Sequence, residues 1–348
     1  MKRVPAVAAF LTLACIASGC SAGSAAPAST GPTSTGTGGN GATPPPPPTT
    51  WPVGTVDAGP PRNPTPIVLC HGFSGFQNIG PIDYFYGVAD ALRKDGHPIY
   101  VTQVDPYNDS TVRGAELLTQ VQAILDETGA DHVILIGHSQ GALDVRYVAN
   151  KLGKKVGAAV LVAGVNRGTP VADIAEGDLP GSVTDALAVL LQLFGATVLD
   201  PGQSPDSNAQ ASIKQLTTAG AAAFTAQYPD SPYVDYYSIA GRSNDQNGDL
   251  DCGTEIEPGM IGQWDGVVDD TQVLLAATGA LINGSAPIPP TNDALVPVES
   301  AKWGTFLGCV PADHMEEVCQ LAGTPTTSGF NCVDFYRTLV NWLVARGY

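Results

Sequence analysis

The hydrophobic pattern from residue 65 onward alternates short apolar runs with longer amphipathic stretches. Apolar residues recur at near-helical spacing within 111–128, whereas the shorter runs are continuously apolar. Continuously apolar strands that alternate with helices predict a mostly parallel central sheet with helices on both faces. Strands are predicted at 66–70, 98–104, 132–136, 156–163 and 233–240, and helices at 84–94, 111–128 and 140–152. We therefore predict one α/β domain over 65–348, with function at the carboxyl ends of its strands.

The alternation breaks at an insertion of about residues 170–230. Within it, the stretch from Val183 to Val198 is apolar and compatible with a helix. An apolar helix must bury that face, and two interpretations follow. It packs permanently on the core, or it forms a mobile lid over the cleft.

The amino terminus has the pattern of an export signal. A short basic start precedes the apolar stretch Val4–Ile16, which is shorter than the about 20 residues that span a bilayer. Small residues then lead to Cys20, and this resembles the cleavage site of bacterial lipoproteins. The pattern predicts a lipoprotein signal peptide over 1–19 with Cys20 lipidated. Ordinary cleavage nearby, with Cys20 incidental, is the alternative.

Residues 20–64 are predicted to form a disordered tether. They are rich in Ser, Thr, Gly, Ala and Pro, and include a proline run at 44–48. Such a composition cannot bury enough apolar surface to offset its ordering entropy. We expect the protein to be exported, held at the membrane surface of the cell envelope through Cys20, or released extracellularly.

The charge bears on the possible partners of the protein, and the cysteine content bears on its disulfides. The net charge of -17 argues against a nucleic-acid partner. Cys70 lies in an apolar run, which predicts a buried thiol. Export permits disulfides, and four further cysteines allow two bridges in three connectivities: Cys252, Cys309, Cys319 and Cys332. One of these connectivities, Cys309–Cys319, would brace the loop that contains His314.

The motif Gly137-His138-Ser139-Gln140-Gly141 directly follows the predicted strand 132–136 and precedes a predicted helix. A G-x-S-x-G turn in this context exposes its serine at a sharp strand-to-helix bend. Serine needs a base to become nucleophilic, and histidine has a suitable pKa. In the order Ser, acid, His, only His314 follows Ser139, so elimination identifies the base.

The acid and the oxyanion hole are less constrained. Asp293 follows a Pro-rich loop and is our prediction for the acid, with Asp265, Asp269 and Asp270 as alternatives. Asp313 adjoins the base and has poor geometry for this role. The oxyanion hole needs backbone N–H groups, which we expect from Gln140 and from the loop His71-Gly72-Phe73.

Several segments together resemble the bacterial true lipases, which are secreted triacylglycerol hydrolases with an α/β-hydrolase fold and a helical lid. They are His71–Gly75, Tyr84–Gly87, Ile136–Gly141, Arg146–Ala149, Asn292-Asp293 and His314–Val318. The resemblance implies the triad Ser139, Asp293 and His314, an oxyanion hole at Phe73 and Gln140, and a lipid ester substrate. The chain departs from the family at Ala142, where the family has a second glycine.

The family also carries a structural Ca²⁺ near the catalytic histidine, and no cofactor for catalysis. The resemblance implies ligands at Asp269 or Asp270, at Glu316 and at the Gln320 carbonyl, and oxygen ligands suit Ca²⁺. Glu316 replaces an aspartate of the family, which changes the geometry; a solvated acidic loop is the alternative. We expect a monomer. The sequence does not decide whether a lipase-specific folding chaperone is needed.

The sequence thus predicts a serine carboxylester hydrolase that acts on acylglycerols through an acyl-enzyme. One alternative on the same scaffold is an esterase or acyltransferase acting on short-chain, polyester or cell-envelope lipid esters, because fold alone does not set the substrate. Another is a non-catalytic surface lipoprotein that binds lipid or a partner. The sequence leaves acyl-chain length and regioselectivity open.

Overall fold

The computed structural model describes part of the chain. The described residues are 65–73, 75, 78–79, 82–177, 208–243, 252, 267–272, 275–284, 290–320 and 328–348. All of them lie in the second of the two units into which the chain divides, Pro52–Tyr348. The predicted signal peptide, Cys20, the tether, the stretch 183–198 and Asp265 lie outside the described residues.

A six-stranded sheet with the order β4-β1-β5-β6-β7-β8 forms the centre. Its strands are β1 (Ile67–Cys70), β4 (Ile99–Val101), β5 (Val133–His138), β6 (Val156–Val162), β7 (Asp235–Gly241) and β8 (Thr305–Val310). Each neighbouring pair is parallel, so the carboxyl ends of the strands share one edge. The short strands β2 (Asn78–Ile79) and β3 (Ile82–Asp83) form a separate antiparallel pair. The predicted mostly parallel sheet is confirmed.

Helices connect the strands. They are α1 (Val88–Lys94), α2 (Ser110–Thr128), α3 (Gly141–Leu152), α4 (Pro170–Glu176), α5 (Ala209–Leu216), α6 (Thr218–Gln227), α7 (Ala276–Gly284), α8 (Val298–Ala301) and α9 (Cys332–Ala345). Short 3-10 helices occupy Gly153–Lys155 and Glu316–Val318. The longest, α2, begins where the Asp109 side chain accepts the N–H groups of Thr111 and Val112, and ends at left-handed Gly129. In the described part of the chain, no helix combines the length and apolarity needed to cross a membrane.

The core lies on both faces of the sheet, as the continuously apolar strands predicted. On one face, Ile134 and Ile136 of β5 pack with residues of α1 and α9. On the other, Val133 and Leu135 pack with residues of α2 and α3. Since each fully buried aliphatic side chain contributes about 1.5–3 kcal/mol, the two layers hold the sheet firmly.

The last strand and the last helix are among the elements that were not predicted. In β8, Gly308 adopts φ 122, and the pairing register with β7 shifts between Ser238 and Ala240, so the strand lacks a regular pattern. Helix α9 was also missed, although it buries the face that includes Phe335, Leu339 and Leu343. Of the predicted insertion at about 170–230, α4, α5 and α6 are described.

The disulfides are Cys252–Cys309 and Cys319–Cys332. The predicted possibility of a Cys309–Cys319 bridge is therefore wrong. Cys309 lies in β8 and Cys319 follows the 3-10 helix, and each pairs with a segment elsewhere in the chain, so the bridges tie the His314 loop to its surroundings. Cys70 is a free, buried thiol, as predicted.

Candidate active site

Ser139 lies at a sharp turn between β5 and α3. Its φ is 57, a left-handed value that is rare for a residue other than glycine. The turn is tight because a Cβ on Gly137 would lie 2.3 Å from the Gly141 carbonyl oxygen. A Cβ on Gly141 would in turn lie 2.6 Å from the carbonyl oxygens of Cys70 and His71. Both motif glycines are therefore required for the close approach of strand and helix.

Asp293 and His314 form a buried pair at the carboxyl-end side of the sheet. His314 Nδ1 donates to Asp293 Oδ2 at 2.8 Å, and the two side chains are 3% and 1% exposed, respectively. The second carboxylate oxygen accepts the N–H groups of Leu295 at 2.8 Å and Val296 at 2.6 Å. With Nδ1 as donor, His314 presents Nε2 as its proton acceptor.

This pair adjoins the serine turn. The His314 ring centroid lies 4.6 Å from that of His138, the residue directly before Ser139. The structure thus brings two of the predicted catalytic residues into direct contact and places them beside the third. The segment 290–297 and the loop after β8 supply them.

Ser139 lines an apolar cavity that is partly open to solvent. Its lining includes Val171 of α4 together with Ile213 and Leu216 of α5. Phe73 and Leu295 also line it. A cavity of this composition accommodates a hydrocarbon chain better than a polar group.

The predicted oxyanion-hole residues flank the serine. Gln140 is buried, and its side chain donates to the Asn108 carbonyl at 2.9 Å and accepts from Ser212 Oγ at 3.0 Å. Phe73 is 7% exposed and follows Gly72, where a Cβ would lie 2.7 Å from Ser139 Cβ. The loop containing Phe73 therefore passes directly over Ser139.

A chain of buried polar groups that the sequence analysis missed lies behind the pair. Tyr84 Oη lies 2.8 Å from His138 Nδ1, and His138 Nε2 lies 3.1 Å from Glu317 Oε2. The same Glu317 oxygen lies 3.7 Å from His314 Nδ1. In the described part, His138, His314 and Glu317 form a group whose potential ligand atoms lie within 4.8 Å of one another.

Burial sets the protonation of this chain. Burial, with the charges of Asp293, Asp313 and Glu316, raises the pKa of Glu317 well above its usual value. Burial and the neighbouring His314 lower the pKa of His138 well below its usual value. Both shifts favour the neutral forms at neutral pH. In the sequence, the only signal of these linked polar groups was the acidic pair that follows His314.

The residues predicted to bind Ca²⁺ are only partly brought together. Burial raises the pKa of Glu316 to about 7, and the negative charges of Asp313 and Asp269 add to this. Asp269 is buried, but both its carboxylate oxygens contact Ser328. Asp270 is exposed, and the Gln320 side chain donates to the Tyr84 carbonyl. Asp269 and Glu316 offer the oxygen ligands that a hard cation prefers, and of the two aspartates Asp269 is buried and Asp270 is exposed.

Comparison with known proteins agrees with the fold. Residues 65–233 match the alpha/beta hydrolase fold family. A triacylglycerol lipase of Vibrio cholerae is 33% identical over 304 residues, which cover 81% of this chain and 88% of that protein. A triacylglycerol lipase of Pseudarthrobacter phenanthrenivorans is 30% identical over 81% of this chain and 97% of its own length.

Among solved structures, the Staphylococcus hyicus lipase superposes with a TM-score of 0.57 at 17% identity, over 83% of this chain and 98% of that one. The fold and these relatives identify the chain as a carboxylic ester hydrolase of the α/β-hydrolase class. Within that class, the chain belongs to the bacterial triacylglycerol lipase family.

Proposed function

We propose that the protein hydrolyses acylglycerol esters through Ser139, His314 and Asp293. The observation that carries the proposal is the buried Asp293–His314 hydrogen bond of 2.8 Å beside the turn that contains Ser139. A serine, a base within reach and an acid that orients the base are the parts that acyl transfer requires.

In the proposed mechanism, His314 Nε2 takes the proton from Ser139 Oγ as that oxygen attacks the ester carbonyl carbon. Asp293 holds the imidazole by Nδ1 and stabilises the imidazolium that forms. The backbone N–H groups of Phe73 and Gln140 donate to the oxyanion of the tetrahedral intermediate. His314 then protonates the departing alcohol. A water molecule, deprotonated by His314, releases the acid from the acyl-enzyme.

Two observations support an acylglycerol as substrate. The cavity beside Ser139 is lined by apolar residues of α4 and α5, which would desolvate an acyl chain. The curated relatives are named triacylglycerol lipases. The second candidate is an esterase or acyltransferase that acts on short-chain, polyester or envelope esters, and it would use the same triad.

Covalent labelling tests the enzyme hypothesis. A fluorophosphonate should modify Ser139 stoichiometrically, and Ser139→Ala should lose both the label and ester hydrolysis. Ser24→Ala, a serine-to-alanine change in the predicted tether, is the matched control and should behave as the wild type. Unchanged hydrolysis in Ser139→Ala would remove the proposal.

A series of p-nitrophenyl esters of increasing chain length tests the substrate. We expect higher kcat/KM for longer chains, and a rise in rate above the solubility limit of a triacylglycerol. Best rates on short soluble esters, with no response at the solubility limit, would favour the esterase. Acyl transfer to an added alcohol in preference to water would favour the acyltransferase.

We also propose a structural Ca²⁺ held by Asp269 and Glu316, with the Gln320 carbonyl as a third ligand. The ion would offset the repulsion among the buried carboxylates and stabilise the His314 loop. EGTA should lower the melting temperature and added Ca²⁺ should restore it. Asp269→Asn should abolish this response, whereas Asp270→Asn, which changes an exposed neighbour, should retain it. A melting temperature that is indifferent to EGTA and Ca²⁺ contradicts the proposal.

Finally, we propose that the protein is exported and anchored to the cell envelope through a lipid on Cys20. The basic start, the apolar stretch and the small residues before Cys20 support this proposal. The predicted tether at 20–64 would then connect the lipid to the hydrolase domain.

A further inference from the structure

Arg113 of α2 is fully buried, with 0% of its side chain exposed. Its Nε donates to Asp144 Oδ2 at 2.9 Å, and Nη1 donates to the Asp105 carbonyl at 2.9 Å. Its Nη2 donates to the carbonyl oxygens of His71 at 2.8 Å and Gly72 at 3.1 Å. A buried ion pair with Asp144 does not by itself require the three carbonyl contacts. Only the planar fork of a guanidinium makes all of them at once.

The carbonyl contacts fix a peptide plane that matters for catalysis. In a trans peptide, the C=O and the following N–H point in opposite directions. The Gly72 oxygen accepts from Arg113 Nη2, from His71 Nδ1 at 2.9 Å and from the Gly75 N–H at 3.1 Å. Because the Arg113 and His71 side chains are buried and hold this oxygen on the interior side, the N–H of Phe73 is directed to the opposite side of the plane. In the proposed mechanism that N–H meets the oxyanion.

The same guanidinium is connected to the second oxyanion donor. Asp144 lies in the first turn of α3, and its N–H donates to the Gln140 carbonyl at 3.3 Å. Asp105 begins the loop whose Asn108 carbonyl accepts from the Gln140 side chain. Arg113 therefore bridges the loop after β1, the loop after β4 and the helix that follows the serine turn.

We infer that Arg113 is a positioning residue of ester hydrolysis, whose hold on the His71 and Gly72 carbonyls aims the Phe73 N–H at the developing oxyanion. The inference rests on the proposed function, because it needs Phe73 to be an oxyanion donor. The inference predicts that substitution of Arg113, a residue without substrate contact, changes kcat more than it changes KM. A merely structural ion pair would instead affect stability and leave the kcat of the folded protein unchanged.

The test compares three variants by kcat, KM and melting temperature. Arg113→Lys keeps the charge but loses the fork. Arg113→Met combined with Asp144→Leu removes the ion pair without leaving an unpaired buried charge. Asp144→Asn is the control for the ion pair, because it keeps the carbonyl contacts of Arg113, and the unpaired buried charge that it leaves should lower the melting temperature.

For both Arg113 variants we expect kcat to fall about 10- to 100-fold with KM within about threefold. Misdirecting an oxyanion donor should cost part of the rate that removing the donor would cost. The inhibition constant of an alkylboronic acid, which forms a tetrahedral anion on the serine, should rise in parallel with the loss of kcat. Asp144→Asn should retain at least about half of the wild-type kcat. If Arg113→Lys does not fold, the double variant still decides.

Two results would overturn the inference. One is a folded Arg113 variant with wild-type kcat and boronate affinity; the other is an equal loss in Asp144→Asn, which would assign the effect to the ion pair. Failure of the proposed function would give a different result, because Ser139→Ala would then remain active. A labelled Ser139 and an inactive Ser139→Ala, with unaffected Arg113 variants, would refute the positioning role alone.

Discussion

At the residue scale, the serine turn combines backbone strain with tight packing. A non-glycine residue at φ 57 carries backbone strain of the order of 1–3 kcal/mol, which the surrounding contacts must offset.

Ala142, which departs from the family pattern, is fully buried. A Cβ on Gly164 would lie 2.7 Å from the Ala142 Cβ. The absence of a side chain at Gly164 thus provides the room that Ala142 needs.

Gly72→Ala should impair the site. The new methyl group would lie 2.7 Å from Ser139 Cβ and 2.9 Å from Tyr84 Oη, so the loop over the serine must move. We expect kcat to fall at least about tenfold, because a shift of this loop misplaces the Phe73 N–H. Gly284→Ala is the control, since a Cβ there meets nothing within 4 Å. Equal, near-wild-type activity of both variants would contradict the packing argument.

His71 makes stability depend on pH. Burial and the adjacent Arg113 lower the pKa of His71 to about 3, from 6.5. The unfolded chain therefore binds a proton that the folded protein does not, and stability falls as the pH drops from about 6.5 toward 3. The slope from this group is up to about 1.4 kcal/mol per pH unit. Above pH 7 the imidazole is neutral in both states and contributes no slope.

Denaturant unfolding from pH 4.5 to 8 measures this effect. His71→Asn should reduce the acid-side slope of the free energy of unfolding against pH, by the equivalent of up to one bound proton. It should leave the slope above pH 7 unchanged. His138, whose pKa is also lowered, continues to contribute in the variant. An acid-side slope identical to that of the wild type would show that His71 does not titrate as proposed.

At the element scale, the loop that contains His314 is braced at both ends. It leaves β8, where Cys309 is bonded to Cys252, and it ends at Cys319, which is bonded to Cys332 at the start of α9. The bridges enclose sequence separations of 57 and 13 residues. Since loop entropy grows slowly with length, both bridges stabilise the fold by comparable amounts.

Removing one bridge at a time should separate stability from activity. Cys319→Ala with Cys332→Ala should lower the free energy of unfolding by about 3 kcal/mol, and Cys252→Ala with Cys309→Ala by about 4 kcal/mol. The first pair should also lower kcat, because Cys319 directly follows the Glu316–Val318 helix beside His314. Thermal unfolding and ester hydrolysis measure the two effects. Undiminished stability in both variants would show that packing alone holds the loop.

At the scale of the whole molecule, the proposed chemistry and the proposed anchor occupy different parts of the chain. The proposed catalytic and oxyanion residues all lie between 73 and 314, within the hydrolase domain. The predicted lipid attachment lies at Cys20, before the tether. The net charge of -17 disfavours close approach to an anionic surface, which is consistent with a tether between lipid and domain.

Cys20→Ser should therefore change location without changing chemistry. We expect the variant to leave the membrane fraction, while kcat and KM on a soluble p-nitrophenyl ester stay within about twofold of wild type, since no proposed site residue is near Cys20 in the sequence. Fractionation of cells and assay of each fraction measure this. Release of the wild type and of Cys20→Ser alike would favour ordinary cleavage with Cys20 incidental.

The sequence by itself determined most of the alternation of strands and helices, the serine turn and the one histidine that we propose as the base. These follow from local patterns: continuous apolar runs, a G-x-S-x-G turn after a strand, and the presence of a single histidine after Ser139. Asp293 was one of several candidates, and contact with His314 distinguishes it.

Only the tertiary structure decided the rest, because it depends on contacts between distant residues. His138 and Glu317 are 179 positions apart, and Arg113 reaches His71 across 42. The disulfide connectivity was one of three until the fold brought particular cysteines together. No local pattern encodes such pairs, since each forms only when the parallel sheet gathers the carboxyl ends of its strands at one edge.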